Sequence, residues 1–226
     1  LRLNTVGKYN TAVGYKSGDA STTTWYNTSL GADSLTAATT GGYNTAIGGG
    51  ALSLNTNGSY NIATGYMSLY ANTIGVYNVA IGTESLRYTV TGSYNTAVGN
   101  YAGEGTSSNS FSNSTFLGYQ TGLLVTSGSN NIMLGYKAGD AITSGSNNVI
   151  LGYDVDAPSA TADDQLVIGN LIFSEGIDAT GTSISSGNIG IGDPSPDLRL
   201  DVTSTASADG VAIDNTAADG DAILAF

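Results

Sequence analysis

The chain has 226 residues, no Cys, no His and only 24 charged groups, 6 basic and 18 acidic, for a net charge of −12. These figures exclude disulfide frameworks, structural zinc and catalysis by thiol or imidazole, and they leave no basic footprint for nucleic acid. Gly (32), Thr (28), Ser (26) and Asn (20) make up almost half the chain, so a helical protein is not expected, while 40% hydrophobic residues and 14 Tyr separate it from a disordered one.

The charge is segregated. Residues 1–150 balance five basic groups against five acids, whereas residues 151–226 set thirteen acids against Arg199, and every Tyr lies at or before Tyr153. Two regions of different physics are therefore expected to meet near residues 153–165. No apolar run reaches the ~18 residues of a membrane helix, so no membrane insertion is expected. The chain starts without Met and stops in the apolar Ala225-Phe226, which reads as a piece of a longer protein.

From the N-terminus, Tyr9-Asn-Thr-Ala-Val-Gly14 returns as Tyr26-Asn-Thr-Ser-Leu-Gly31, Tyr43-Asn-Thr-Ala-Ile-Gly48, Tyr60-Asn-Ile-Ala-Thr-Gly65, Tyr77-Asn-Val-Ala-Ile-Gly82 and Tyr94-Asn-Thr-Ala-Val-Gly99, always 17 residues apart. The register slips by two at Gly118 and resumes its 17-residue spacing at Gly135, Gly152 and Gly169. A second glycine column, Gly7, Gly41, Gly58, Gly75, Gly92, Gly128 and Gly145, precedes the first by seven residues and reads as a turn needing positive φ. Seventeen residues suit one coil of a parallel β-solenoid with two short strands and two turns; ten coils at ~4.8 Å give roughly 50 Å. The slip predicts that residues 100–113 bulge outward as a longer loop.

The residue before each glycine is aliphatic (Val13, Leu30, Ile47, Ile81, Val98, Leu117, Leu134, Leu151, Ile168; Thr64 is the exception), and it shares a face with Thr or a β-branched residue two positions earlier. The residue between them points the other way and is also small or apolar: Ala12, Ala46, Ala63, Ala80, Ala97, then Phe116, Met133, Ile150 and Val167. A strand apolar on both faces is buried on both. One face can fill the coil; the other needs further copies of the chain, which cyclic symmetry supplies. If the middle ladder lies on the symmetry axis, its growth after Ala97 predicts a wider, more heavily packed segment over 116–169.

These Asn-Thr-Ala-Val-Gly cores resemble the head repeats of trimeric autotransporter adhesins, and still more the Tyr-Asn-Thr-Ala-Val-Gly arrays of bacteriophage tail-fibre proteins. The resemblance spans about residues 1–170. The run from Gly187 to Val202 is similar to the segment that follows such arrays in phage fibres. The resemblance implies a left-handed parallel β-roll interlocked as a homotrimer, a virion or extracellular location, other tail proteins as partners, and a host-surface glycan or protein as receptor. Repeats longer than the usual adhesin ones, with no stalk or anchor, weigh toward the phage version.

Sites are sparse. The Asn column (Asn10, Asn27, Asn44, Asn61, Asn78, Asn95, Asn131, Asn148) reads as a coil-to-coil amide ladder rather than a recognition surface. The Tyr column (Tyr9, Tyr26, Tyr43, Tyr60, Tyr77, Tyr94) reads as scaffold shielding the edge and bonding through its hydroxyls. The less regular Tyr15, Tyr66, Tyr101, Tyr119, Tyr136, Tyr153 and Trp25, with loop 100–113, are where a glycan would bind. Glycan cleavage needs two carboxylates ~5–10 Å apart; none of the five acids in residues 1–150 pairs within one coil, so no enzyme is expected. Asp154, Asp156, Asp163 and Asp164 could hold Ca²⁺ but fit an acidic linker better. Gly190-x-Gly192 lacks the rest of a dinucleotide motif. Thr11, Thr28, Thr45, Thr96 and Thr115 could form an ice-binding ladder but alternate with Ile and Val. The reading is thus an all-β chain: a β-roll shaft over 1–170, a linker over 171–187 and a small β-rich module over 188–226 that carries its acids outside. It assigns no catalytic, cofactor or metal residues and leaves the receptor-binding residues unknown.

Overall fold

The computed structural model describes residues 3–174 and 187–202. It is an all-β solenoid whose strands lie in one sheet in chain order: β1 Thr11–Val13, β2 Thr28–Leu30, β3 Thr45–Ile47, β4 Ile62–Thr64, β5 Val79–Ile81, β6 Thr96–Val98, β7 Thr115–Leu117, β8 Ile132–Leu134, β9 Val149–Leu151, β10 Leu166–Ile168, β11 Ile172–Ser174, β12 Ile189–Ile191 and β13 Leu200–Val202. From β1 to β10 the pairing is parallel and keeps the repeat register, as in Thr45↔Ile62, Ala46↔Ala63 and Ile47↔Thr64. Every sequence column is therefore a ladder in space. Among the described residues no helix is long and apolar enough to cross a membrane.

Each coil has one strand, not the expected two. The remainder is turn and bend, tied to the next coil by backbone bonds such as Leu35 N–H to Ala51 O (2.9 Å) and Ala37 N–H to Ser53 O (3.0 Å). Left-handed residues break up any second extended run: one coil alone carries Tyr26 (φ 58°), Asp33 (φ 56°) and Leu35 (φ 49°).

The structure settles which strand face is inside. The middle ladder, Ala46, Ala63, Ala80, Ala97, Phe116, Met133, Ile150 and Val167, is fully buried within the single chain. It fills the coil and does not lie on an axis between chains. The flanking columns point outward, and Val13 (56% exposed), Ile62 (42%), Ile81 (42%), Ile132 (47%) and Leu134 (47%) form an uncovered apolar stripe.

The expected wider segment is replaced by compensation across the coil. Beside the small strand residues, the opposite wall supplies Leu35, Leu52, Leu69 and Leu86, all buried and all held at φ 48–51°. That conformation costs a branched L-residue roughly 1–2 kcal/mol, which its burial offsets. Where the strand residue becomes large, the wall residue becomes glycine. A Cβ on Gly103 would stand 2.7 Å from Phe116 Cδ2, and one on Gly139 would stand 2.6 Å from the Met133 sulfur. A coil of constant perimeter has a constant interior, so added volume on one wall is removed from the other.

The second glycine column does not adopt positive φ, contrary to expectation; that conformation falls on the Tyr column two residues later. Closeness decides the residue type instead. A Cβ on Gly41 would lie 2.2 Å from Gly58 O, and one on Gly75 would lie 2.2 Å from Gly92 O. The two-residue slip is accommodated as expected. Before it, Gly105 N–H bonds Leu123 O, a span of 18; after it, Ser110 N–H bonds Thr126 O, a span of 16. Between them Thr106, Ser107 and Ser108 stand exposed.

At the far end the chain reverses. β11, inside the expected linker, runs antiparallel to β10 and to β12, and β13 pairs parallel with β12. Of the acids assigned to the C-terminal module, Asp197 is exposed and Asp193 and Asp201 are half-buried. Burial and the neighbouring Asp197 raise the pKa of Asp201. Asp178 of the expected linker and Asp209, Asp214, Asp219 and Asp221 of the module lie outside the described residues.

Candidate functional site: aromatic notches beside the strand ladder

The Asn column is a buried ladder. Asn27 N–H donates to Asn10 Oδ1 (2.9 Å), Asn44 N–H to Asn27 Oδ1 (2.8 Å) and Asn61 N–H to Asn44 Oδ1 (3.0 Å), and the series runs through Asn95, Ser114 and Asn148 to Gln165. Each side-chain amide also donates to a turn carbonyl, as Asn44 Nδ2 does to Gly58 O (2.9 Å). These groups are spent on scaffold and offer no recognition surface.

The Tyr column is a stack of rings. Centroids from Tyr9 to Tyr94 are 4.8–5.3 Å apart and neighbouring planes lie within 16°. The rings are 45–68% exposed, so they stack rather than shelter. All six sit at φ 57–61°. Beyond Tyr94 the position passes to Asn113, Asn130, Asn147 and Asp164 in the same conformation, which Asn and Asp tolerate better. There amide bonds replace stacking: Asn130 Nδ2 to Asn147 Oδ1 and Asn147 Nδ2 to Asp164 Oδ1, each 3.0 Å. On the other side of the strands, Tyr119, Tyr136 and Tyr153 form a shorter stack, at 5.5 and 5.0 Å. Tyr101 meets Tyr119 edge-on at 5.9 Å.

Two of the irregular aromatics line notches. Trp25, Tyr43 and Tyr60 surround a hollow of about 290 Å³ that opens because Gly42 follows Trp25 in its column. Tyr66, Met67 and Tyr70 overhang a second hollow, of about 350 Å³, whose floor is Ala32, Gly49 and Gly50, with Asp33, Thr36 and Ser53 at its sides. Register explains this one too. The column that reads Tyr15, Ala32, Gly49, Tyr66 loses its ring for two coils. A Cβ on Gly49 would lie 3.6 Å from Tyr66 Cδ2, in ordinary contact. Tyr15 stands 70% exposed, with Lys16 Nζ 5.3 Å from its ring centre.

One cluster was missed by searching within single coils. Arg87 Nη1 bonds Glu84 Oε2 at 2.5 Å and lies 3.9 Å from Glu104 Oε1. Burial, the charge of Glu84 and a hydrogen bond to it push the Glu104 carboxyl up to about 7. The repeat arithmetic contains this contact, because residues 87 and 104 differ by 17 and share a column. Two carboxylates thus do come together, across adjacent coils.

The four acids considered for Ca²⁺ disperse. Asp163 Oδ1 accepts from Ser146 N–H (2.6 Å), Asp164 from Asn147, and Asp156 Oδ1 from Ala141 N–H (3.1 Å). Burial, with the charge of Asp156, raises the pKa of Asp140. Among the described residues no group of three or more acids could hold a metal ion. Gly190 is a strand residue whose Cβ would lie 2.0 Å from Asp193 O, and Gly192 takes φ 75° in the turn that follows. The Thr column lies on the outward strand face, with Thr11 and Thr28 exposed. No family model, curated protein or solved structure matches the chain.

Proposed function

We propose that the chain is the shaft of a bacteriophage tail fibre, assembled as a homotrimer through the outward faces of its strand ladders. The observation that carries this reading is the apolar stripe along β1–β10. One strand face is completely filled by the chain itself, while the other leaves Val13, Leu30, Ile81, Ile132 and Leu134 at least 42% exposed. Long contiguous apolar surface of this kind marks an interface, and identical ladders on identical chains are self-complementary under cyclic symmetry. The resemblance to phage-fibre arrays favours three copies.

The work of such a shaft is mechanical: projecting a receptor-binding tip toward the host surface. Continuous amide ladders and ring stacks suit a stiff rod. Arg87 holds Glu84 in an ion pair, which favours a structural role for the carboxylate pair over hydrolysis. Immunogold labelling with an antibody to this chain tests the assignment. Label on fibres of virus particles supports it; label on bacterial surfaces, with a membrane β-barrel encoded downstream, replaces it with a cell-anchored adhesin head. Depolymerisation of host polysaccharide by the purified protein would make it an enzyme instead.

A further inference from the structure

We propose that the hollow under Tyr66 and Tyr70 binds a neutral hexopyranose unit of a surface saccharide. The aromatic column is broken beside this hollow. Where this column holds Tyr in successive coils, the rings cover one another, as Tyr136 covers Tyr153 at 5.0 Å. Below Tyr66 the next two positions are Gly49 and Ala32, so no aromatic ring covers it from that side, and Tyr66 is 52% exposed. Tyr70 overhangs the neighbouring Gly50, whose Cβ would lie 3.6 Å from its Cδ2. Two tyrosine rings thus line a hollow of about 350 Å³, at the small end of the ~300–1,000 Å³ of ligand sites.

The polar groups select the class of ligand. The Asp33 carboxylate and the paired hydroxyls of Thr36 and Ser53 (2.9 Å apart) line the same hollow. A pyranose offers one C–H face for the rings and hydroxyl donors for the carboxylate. An anionic sugar is disfavoured because the Asp33 carboxylate lines the hollow and repels it, while Lys16, one coil below Asp33 in its column, lies over the ring of Tyr15. A quaternary ammonium would prefer rings around it, whereas here they stand on one side. The inference does not depend on three-fold assembly, and its test can fail while the trimer stands.

The test is saturation-transfer NMR on the purified chain in its native assembly, with methyl β-D-glucopyranoside, methyl β-D-galactopyranoside, glucuronate and choline as probes. Transfer to at least one neutral glycoside is expected, together with a loss of affinity of about tenfold or more in Tyr66→Ala and Gly49→Tyr. Gly49→Tyr is the decisive variant. It fills the hollow while extending the ring stack, so it should melt at or above the wild-type temperature. Asp33→Asn should weaken binding severalfold without changing melting. No transfer to either neutral glycoside, transfer that survives Gly49→Tyr, or a signal from choline or glucuronate alone would overturn the assignment.

Discussion

A Cβ on Gly122 would stand 2.4 Å from Cε1 of Phe116. The pair inverts the arrangement lower in the solenoid, where Ala80 and Leu86 occupy the corresponding positions. Gly122 has φ +61° as well, so Gly122→Leu should lose ~3 kcal/mol or more by overpacking. Phe116→Ala should lose ~3–5 kcal/mol by leaving a cavity. The double change Phe116→Ala/Gly122→Leu recreates the lower pattern and should cost at least ~1 kcal/mol less than the sum. Denaturant unfolding of the four proteins measures this, and simple additivity would contradict the compensation.

Met133 is completely buried inside one chain. Met133→Ala should therefore cost ~2–5 kcal/mol and leave the assembly's mass unchanged. Ala80→Met should overpack the same interior, by ~1–3 kcal/mol. Thermal unfolding with parallel light scattering separates the two effects. Dissociation without loss of chain stability would return this ladder to an interface.

Asn61 accepts from Asn78 N–H (3.0 Å) and donates to Gly75 O (2.8 Å), all buried. Asn61→Ala leaves that N–H unpaired, at a cost of ~1–3 kcal/mol. Amide hydrogen exchange should accelerate most at Asn78 and its neighbours. Uniform protection across the coils would show that the ladder is dispensable.

Glu104 has a folded-state pKa raised to about 7 from an ordinary 4.5. A raised carboxyl stabilises the fold fully below pH ~4.5 and loses that contribution as pH climbs through ~7. Glu104→Gln should therefore match the wild type near pH 4.5 and melt higher than it at pH 8. Melting curves across this range check it. A variant less stable at pH 8 would mean that the ion pair with Arg87 outweighs the desolvation of the carboxyl.

Much of the fold was legible because the repeat is a coordinate system. The 17-residue period gave the register of β1–β10, the Asn ladder and the outward loop at Thr106–Ser108. The direction of the strand faces was not legible, because Ala80 and Ile81 are both apolar and alternation alone cannot say which meets the coil interior. Nor was the exchange of Leu86 for Gly103 read as packing, since its partner Phe116 lies in the following coil. The hollow under Tyr66 and the Glu84–Arg87–Glu104 cluster were written in the columns, as a missing ring at Gly49 and a 17-residue offset between Arg87 and Glu104. A search within single coils passes over both.

The central claim is that the stripe carrying Ile81, Ile132 and Leu134 is covered by other copies of the chain. The most direct measurement is the native mass in solution, by light scattering, of the wild type and of Ile132→Asp, which places a charge on that stripe. The account predicts three times the chain mass for the wild type and a smaller, less stable species for the variant. A well-folded wild-type monomer, or a variant with an unchanged mass and melting curve, would contradict it.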